Sequence, residues 1–424
     1  MMRFLLKGLF RDRSRSFFPV LTVVAGVSLT VVAFSWIRGT EADILRANAA
    51  FSTGHLRLTT QGYLREPEQT ANELALRDLA GVMALLQETY PEIRWTPRTR
   101  FSGLFDLPDS LGETRAQAPV AGLAVDLLSP GSPEREILNL EGALVRGRMP
   151  RAPGEILVSD LLARRLGLEL GEVGTFIGTT GSGSLTTANF SVVGTVRFGV
   201  TAVDRGGILG DISGIGPALD MEDAAGEVLG FFPDQIYRQG ASAEMARAFN
   251  ERHGDPEDEL AYRMGHLRGD QGLATLLDLA GVVTVALIAL FVAVMSIVLW
   301  NAGLLGSLRR YGEFGVRLAV GEKYHHIYGS LLAEALAIGV LGSLLGTALG
   351  LGVSYYLQVQ GLSIAPFLKD ASMLISDVLR ARVTLGSYFI GFVPGMLATL
   401  LGTAISGLGI YRRQTSQLAK EFEG

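Results

Sequence analysis

The sequence contains no cysteine. That excludes disulfides, thiolate-ligated zinc and thiol catalysis. It is also poor in charge. Only 19% of its 424 residues are Asp, Glu, Lys or Arg, against about a quarter in an average soluble domain. Lysine occurs four times, at 7, 323, 369 and 420, among many arginines, a bias of genome composition. No Gly-Lys-Ser/Thr triplet occurs, so the chain lacks the loop that cradles nucleotide phosphates in Walker-type ATPases. The histidines stand at 55, 253, 266, 325 and 326, without zinc-protease spacing. His325 and His326 are adjacent and would point about 100° apart on a helix, a poor chelate. The acidic run from Asp255 to Glu259 reads as a solvated loop rather than a calcium site, and no Ser–His–Asp or paired-carboxylate pattern stands out. The sequence therefore offers no catalytic, cofactor-binding or metal-binding residue.

Apolar residues are abundant, at 48% of the chain. Charge is unevenly spread. Residues 39–272 carry 33 acidic and 21 basic side chains, net −12, and the remainder carries 9 acidic and 16 basic, net +7. An acidic block beside a basic, apolar remainder implies two solvents. A bilayer core about 30 Å thick needs roughly 20 apolar residues of helix, and four stretches qualify: 17–38, 276–305, 327–357 and 383–411. The first is too long for a signal-peptide core and has no small-residue cleavage site after it.

Basic residues near the spans set the orientation. The leader has Arg3, Lys7, Arg11, Arg13 and Arg15, interleaved with Phe4, Leu5, Leu6, Leu9 and Phe10. Residues 1–16 thus read as an interfacial amphipathic helix on the cytoplasmic side. The segment 306–326 carries Arg309, Arg310, Arg317 and Lys323, and the tail 412–424 carries Arg412, Arg413 and Lys420. Both belong in the cytoplasm. Residues 39–272 and the short loop 358–382, where Asp370 and Asp377 offset the basic charge, fall outside it.

The outer block reads as mixed α+β. Glu41 to Phe51 continues the first span as a helical stalk. His55 to Thr60, Arg98 to Leu107, Pro119 to Val125 and Ser191 to Arg197 alternate as strands. Glu73 to Tyr90, Asp220 to Leu229 and Ala241 to His253 read as helices. Ser159 or Asp160 caps a helix that Gly167 ends. The fold class is thus membrane α-helical, with four transmembrane helices and a large extracytoplasmic α+β domain.

Within the spans, Gly342, Gly346 and Gly350 recur every four residues with Gly339 nearby, and Gly391 and Gly395 repeat the spacing in the last span. Small residues at that spacing form helix-packing faces in membranes. Pro394 should kink the last span. Glu334 is the only ionisable residue well inside a span; it is either a contact between the loop and the bundle or a tolerated interfacial charge. The loop Arg309-Arg310-Tyr311-Gly312-Glu313-Phe314-Gly315-Val316-Arg317-Leu318-Ala319-Val320-Gly321 suits a short amphipathic helix. Glu313 and Arg317 are spaced i, i+4, Phe314 and Leu318 give it a greasy face, and Gly321 ends it.

This loop and the following span resemble the FtsX-like permease family, which includes the MacB and LolC/LolE permeases. The pattern is Arg309, Arg310, Glu313, Phe314, Gly315, Arg317, Leu318, Ala319 and Gly321, then Leu331, Glu334, Gly339, Gly342, Gly346 and Gly350. Gly154 to Ser159, Leu162 to Leu168, Gly171 and Ser191 to Val196 resemble the family's MacB-like periplasmic core domain. Gly54-His55-Leu56 with Tyr63 looks most like the lipoprotein-releasing branch; the tail Tyr411 to Thr415 departs from the family's usual Pro-Ala-rich ending. The resemblance implies a bacterial inner-membrane ABC permease without enzymatic activity of its own, with ATP and Mg held by a separate ATPase dimer gripping the loop. It implies a second permease copy or paralogue beside it and mechanical transmission to the periplasmic domain. Lipoprotein or other lipidic cargo is the leading reading. Export of a peptide, drug or toxin with a periplasmic adaptor and outer-membrane channel is the second, and activation of a cell-wall hydrolase the third. Nucleic acid is not an expected partner.

Overall fold

The computed structural model describes residues 13–65, 72–199, 201–255, 257–269, 271–309, 316–363 and 378–412. The expected interfacial leader (1–12), the loop segment 310–315 and the tail from 413 lie outside the described residues. The chain forms two units. One comprises residues 1–42, 277–362 and 379–424, and the other residues 43–276 and 363–378.

Taken in chain order, the elements used below begin with α1 (Arg13–Asn48) and β1 (Leu56–Thr60). Then come α2 (Leu79–Thr89), β2 (Arg94–Pro108), β3 (Thr114–Val125), β4 (Leu144–Gly147) and β5 (Glu155–Ser159). Next are α3 (Asp160–Leu166), β6 (Val173–Thr179), β7 (Leu185–Val196), β8 (Gly207–Asp211) and α4 (Ile212–Ala218). After them follow β9 (Glu227–Phe231), α5 (Gln239–His253), β10 (Tyr262–His266), α6 (Gln271–Arg309), α7 (Tyr324–Gln360), α8 (Leu385–Phe389) and α9 (Phe392–Arg412).

In the first unit the apolar helices dominate. Among the described residues, four helices are long and apolar enough to cross a membrane: Phe17–Thr53, Gly272–Ala302, Tyr324–Gln360 and Leu385–Ser406. The last is broken at residues 390–391 between α8 and α9. The cause is Pro394, which has no N–H to offer the Ile390 carbonyl and whose ring crowds it. The Gly395 N–H resumes the ladder to the Gly391 carbonyl at 3.2 Å.

The second unit is built on a ten-stranded sheet. At one end the strand order is β10-β1-β9-β2, all neighbours antiparallel. Helix α2 joins β1 to β2 across β9, and α5 joins β9 to β10 across β1, giving two interlocked split β-α-β turns. Leu56, Leu58, Val228 and Met264 from the sheet meet Val82, Leu86, Ala246 and Phe249 from these helices in one core. The alternation of Leu56 and Leu58 puts both on the helix-covered face.

Strand β2 is long enough to serve a second body. Its far half pairs with β3 on one edge and β6 on the other. Continuing through β8, β5 and β7 brings the sheet back to β6, so six strands close into a ring. Closure removes the unpaired edges that open sheets must otherwise protect. Phe101, Phe105, Ile156, Val158, Phe176 and Phe190 fill the interior. Helix α3 plugs onto this core through Leu162, Ala163 and Leu166. Ser159 caps it by accepting the Leu162 N–H at 3.1 Å, and Gly167 ends it at φ +61°.

Two expected helices differ. Residues 73–90 form an α-helix only from Leu79, after a 3-10 turn at Asn72–Leu74 and a short strand at Leu76–Arg77; Asp78 turns the chain with φ +51° and caps Gly81. Residues 220–229 are not helical: Asp220 has φ +59°, Ala224–Ala225 pair with Leu76–Arg77, and Glu227 starts β9. All five β9 residues are buried, so no polar side marks the strand in the sequence, and tertiary pairing overrides the local helical pattern.

Candidate functional site

Three places in the structure bear on function. The first is the loop after α6. Residues 316–319 are helical. The turn ends with the Gly321 N–H on the Leu318 carbonyl and the Glu322 N–H on the Arg317 carbonyl, both at 3.0 Å, with Gly321 at φ +95°. This is the bonding pattern by which a left-handed glycine terminates a helix. Leu318 packs inward against Ile327 and Leu331 of α7. Val316 and Val320, one turn apart, stand 65% and 84% exposed. Arg309 closes α6, and Arg310, Glu313, Phe314 and Gly315 fall outside the described residues.

The second place is the set of small residues between the apolar helices. A Cβ on Gly342 would sit 2.6 Å from Val23, on Gly346 2.8 Å from Val27, and on Gly350 2.8 Å from Val31. These three valines lie four apart on α1 and are fully buried. On another side of α7, a Cβ on Gly339 would meet Thr399 at 2.6 Å. One on Gly391 would meet Thr347 at 2.8 Å, and one on Gly395 would overlap the Ser343 hydroxyl. Helix α6 enters through Met295, which covers Gly26, and Leu299, which covers Gly402. Because lipid is as apolar as leucine, membrane helices gain little by hydrophobicity alone and depend on such close approach. Glu334 lies half-buried in α7, one residue before the buried Ala335.

The third place is where α1 ends within the second unit. After Asn48 the helix widens into a π turn, Ala49–Thr53, and stops at Gly54, whose N–H bonds the Ala49 carbonyl at 3.0 Å. Gly54 has φ +63°, a conformation that favours glycine. Carbonyls at a helix C-terminus lack partners and carry the negative end of its dipole. Here two arginines from β2 take them. The Arg98 Nη1 donates to the Ala50 carbonyl at 2.5 Å. The Arg100 Nη2 donates to the Phe51 and Ser52 carbonyls at 2.8 and 3.0 Å.

Each arginine is anchored behind by a fully buried carboxylate. Glu134 receives Arg98 in a two-pronged pair, Nε at 2.7 Å and Nη2 at 2.8 Å, and also the Thr96 hydroxyl at 2.8 Å. Arg98 and Glu134 are both fully buried. Glu227 receives Arg100 Nε at 3.0 Å and lies 2.7 Å from Arg57 Nε. Burial alone would push the Glu227 carboxyl up, but Arg100, Arg57 and Arg98 together hold it below the usual carboxylate range. The same attraction raises Arg100 against the effect of its burial. Tyr63, buried beside this group, is pushed up to about 12, first by burial and then by the Glu227 charge. His55 follows directly. Its Nδ1 accepts the Phe232 N–H at 3.1 Å, and burial lowers its imidazole to about 4, so it is neutral.

Sequence reasoning did not find this cluster. The available signal was parity. Arg94, Arg98 and Arg100 lie on the same face of a strand that is otherwise largely apolar or hydroxyl-bearing. Charges at strand-core positions are seldom buried unless paired. The arrangement has no nucleophile, acid–base pair or metal-ligand cluster among the described residues. What it can do is mechanical: it fixes the end of a long helix to the central strand of a domain.

Residues 285–415, which span most of α6 through α9, match the model of the family described as FtsX-like permease C-terminal. No curated protein matches the chain. Among solved structures, the periplasmic region of MacB from Actinobacillus actinomycetemcomitans is similar at 12% identity, covering 52% of this chain and 92% of that one, with a TM-score of 0.35.

Proposed function

We propose that this chain is the permease subunit of an ATP-driven ABC complex in a bacterial inner membrane. Both termini and the loop after α6 face the cytoplasm, and residues 39–272 lie in the periplasm. The observation that carries the reading is the FtsX-like match over residues 285–415, together with the loop inside it. Val316 and Val320 are exposed beside a turn that Gly321 terminates and Leu318 ties to α7. Exposed apolar residues on a short, anchored helix suit docking on a partner protein. That partner is an ATPase dimer, which holds the ATP and Mg; this chain supplies no nucleotide loop. The sequence pattern of Glu313 and Arg317 suits a polar side for this contact, to which we also assign Arg309, Arg310, Phe314 and Gly315.

ATP-driven closure of the ATPases moves the loop helix and with it α6 and α7. The glycine faces Gly339, Gly342, Gly346, Gly350, Gly391 and Gly395 keep the helices moving as a bundle, and Glu334 lies along the route from loop to bundle. The arginine-held end of α1 delivers the displacement to the periplasmic domain. A coupled change requires contacts that differ between two states, and the loop helix is where an ATPase can supply them. The working unit is a pair of permeases, two copies or two paralogues. The cargo we assign is a lipoprotein or another lipid-bearing molecule of the outer leaflet. That assignment rests on the resemblance of Gly54, His55, Leu56 and Tyr63 to the lipoprotein-releasing branch.

Co-purification of the full chain with the ATPase subunit tests this. Glu313→Lys or Arg317→Glu is expected to reduce recovery of the ATPase at least tenfold while the permease stays monodisperse. Recovery unchanged in both variants would sink the placement of the coupling helix.

A further inference from the structure

A cavity of about 570 Å³ opens around the edge strand β10 and helix α5. Three arginines line it: Arg57 from β1, Arg247 from α5 and Arg263 from β10. One carboxylate, Glu251, lines it with them. Three cations against one anion leave a net of +2 around this hollow, in a domain whose overall charge is −12.

The cations are only partly satisfied by the protein. Arg57 is held at Nε by Glu227, 2.7 Å away, and that carboxylate also serves Arg100. Arg247 meets Glu251 only at 3.8 Å, with both side chains largely exposed. Such a pair contributes little on its own. The Arg263 guanidinium has no ion-pair partner among the described residues.

His266 lines the wall beside them; its Nδ1 lies 3.0 Å from the Tyr237 hydroxyl, which accepts the Arg268 N–H at 3.2 Å. Nε2 lies against Gly269, which lines the cavity. Gly265 and Gly269 leave the wall without side chains, so a bulky anion can approach. The edge strand itself is closed to a docking peptide at its centre, because Asn250 bonds both the N–H and the carbonyl of Met264, at 2.7 and 2.8 Å.

We infer that this cavity binds a phosphate group, gripped by Arg247 and Arg263, with Arg57 adding positive charge behind them. Guanidinium forks match tetrahedral oxyanions in charge and geometry. A phosphate offers enough acceptor oxygens for donors arriving from several directions at once. The source is either a phospholipid headgroup or a free phosphate. The inference does not depend on the transport reading.

The test uses the full chain in a non-ionic detergent, titrated calorimetrically with three probes: inorganic phosphate, dihexanoyl phosphatidylglycerol and dihexanoyl glycerol, which lacks the phosphate. Binding of the phosphatidylglycerol but not the other two supports a lipid headgroup. Equal binding of inorganic phosphate supports a free anion. Arg247→Gln and Arg263→Gln, both at exposed positions, should each weaken binding on the order of tenfold, the loss of one charge-assisted hydrogen bond. Arg165→Gln, on the exposed side of α3, should leave it unchanged. Raising salt should weaken binding in the unaltered chain more than in either cavity variant. The inference fails if neither phosphate probe binds, if dihexanoyl glycerol binds as well as its phosphorylated counterpart, or if both cavity variants bind like the unaltered chain.

Discussion

Replacing Arg98 by methionine removes the cation from the most completely buried ion pair in the described structure. Glu134 is then left fully buried with only the Thr96 hydroxyl as a polar partner, and the Ala50 carbonyl at the end of α1 loses its donor. Stranding one member of a buried pair costs about 3–5 kcal/mol, and an unsatisfied buried carbonyl adds about 1–3 kcal/mol. The double variant Arg98→Met with Glu134→Leu strands no charge. Its expected cost falls to the unpaired Ala50 carbonyl and the Thr96 hydroxyl that loses its acceptor, about 1–3 kcal/mol each. The double substitution should therefore be more stable than the single one. Trp95 is 6% exposed and three residues from Arg98 on the same strand. With Trp36→Phe and Trp300→Phe it becomes the only indole in the chain, and its fluorescence follows urea unfolding of this domain. At a slope of about 1–3 kcal/mol per molar urea, the single variant should lose on the order of 2 M in midpoint and the double should regain part of it. Equal midpoints in the two variants, or a single-variant shift under about 0.5 M, would refute the claim that the pair is bound together by mutual need.

His55 should make this domain acid-sensitive. Its imidazole is lowered from 6.5 to about 4 by burial, with Asp234 opposing and Arg238 assisting, so between those values the unfolded chain binds a proton that the folded one refuses. Stability is intact above about pH 6.5 and falls as pH drops toward 4, by up to about 3 kcal/mol from this group; His55→Asn, with an oxygen near the Nδ1 position, should flatten the drop in urea midpoint between pH 7 and 4.5, and an unchanged drop would remove His55 as its source. In the apolar unit, Gly346→Leu must part α7 from α1, since even a Cβ would sit 2.8 Å from the Val24 carbonyl oxygen, whereas Gly352→Leu enters open space. Thermal midpoint and monodispersity in detergent should fall for the first and hold for the second; matching behaviour would mean that the packing face is not where the helices meet.

Much of the architecture was readable because it follows from one-dimensional patterns. Long uncharged runs mark the apolar helices. The Leu56–Leu58 alternation marks a strand, and Ser159 with Gly167 brackets α3 because capping is local chemistry between residues a few positions apart. What stayed hidden depends on partners distant in sequence. Glu227 reads as solvent-facing until the fold brings Arg57 and Arg100 to it, from 170 and 127 residues away. Strand β9 is buried on both faces and shows no period, so its helical propensity misleads. The closed six-strand ring rests on β6 returning to β2, a pairing between Gly103–Asp106 and Thr175–Gly178 that no local signal announces. The loop motif was legible as a pattern, yet the exposure of Val316 and Val320 beside an inward Leu318 needed coordinates.

The two units solve the same problem, fixing one long helix against its surroundings, by opposite chemistry. Along its apolar stretch α1 meets α7 through Val23, Val27 and Val31 seated on Gly342, Gly346 and Gly350. There an ion pair would carry a desolvation cost that dispersion does not. At its far end α1 meets β2 through arginines that bond its last carbonyls and are themselves held by buried carboxylates. Directional bonds in a low-dielectric interior have a narrow range of permitted distances. For a chain proposed to transmit work, the pinned end is therefore the place where loss of rigidity should cost function before it costs the fold of the membrane helices.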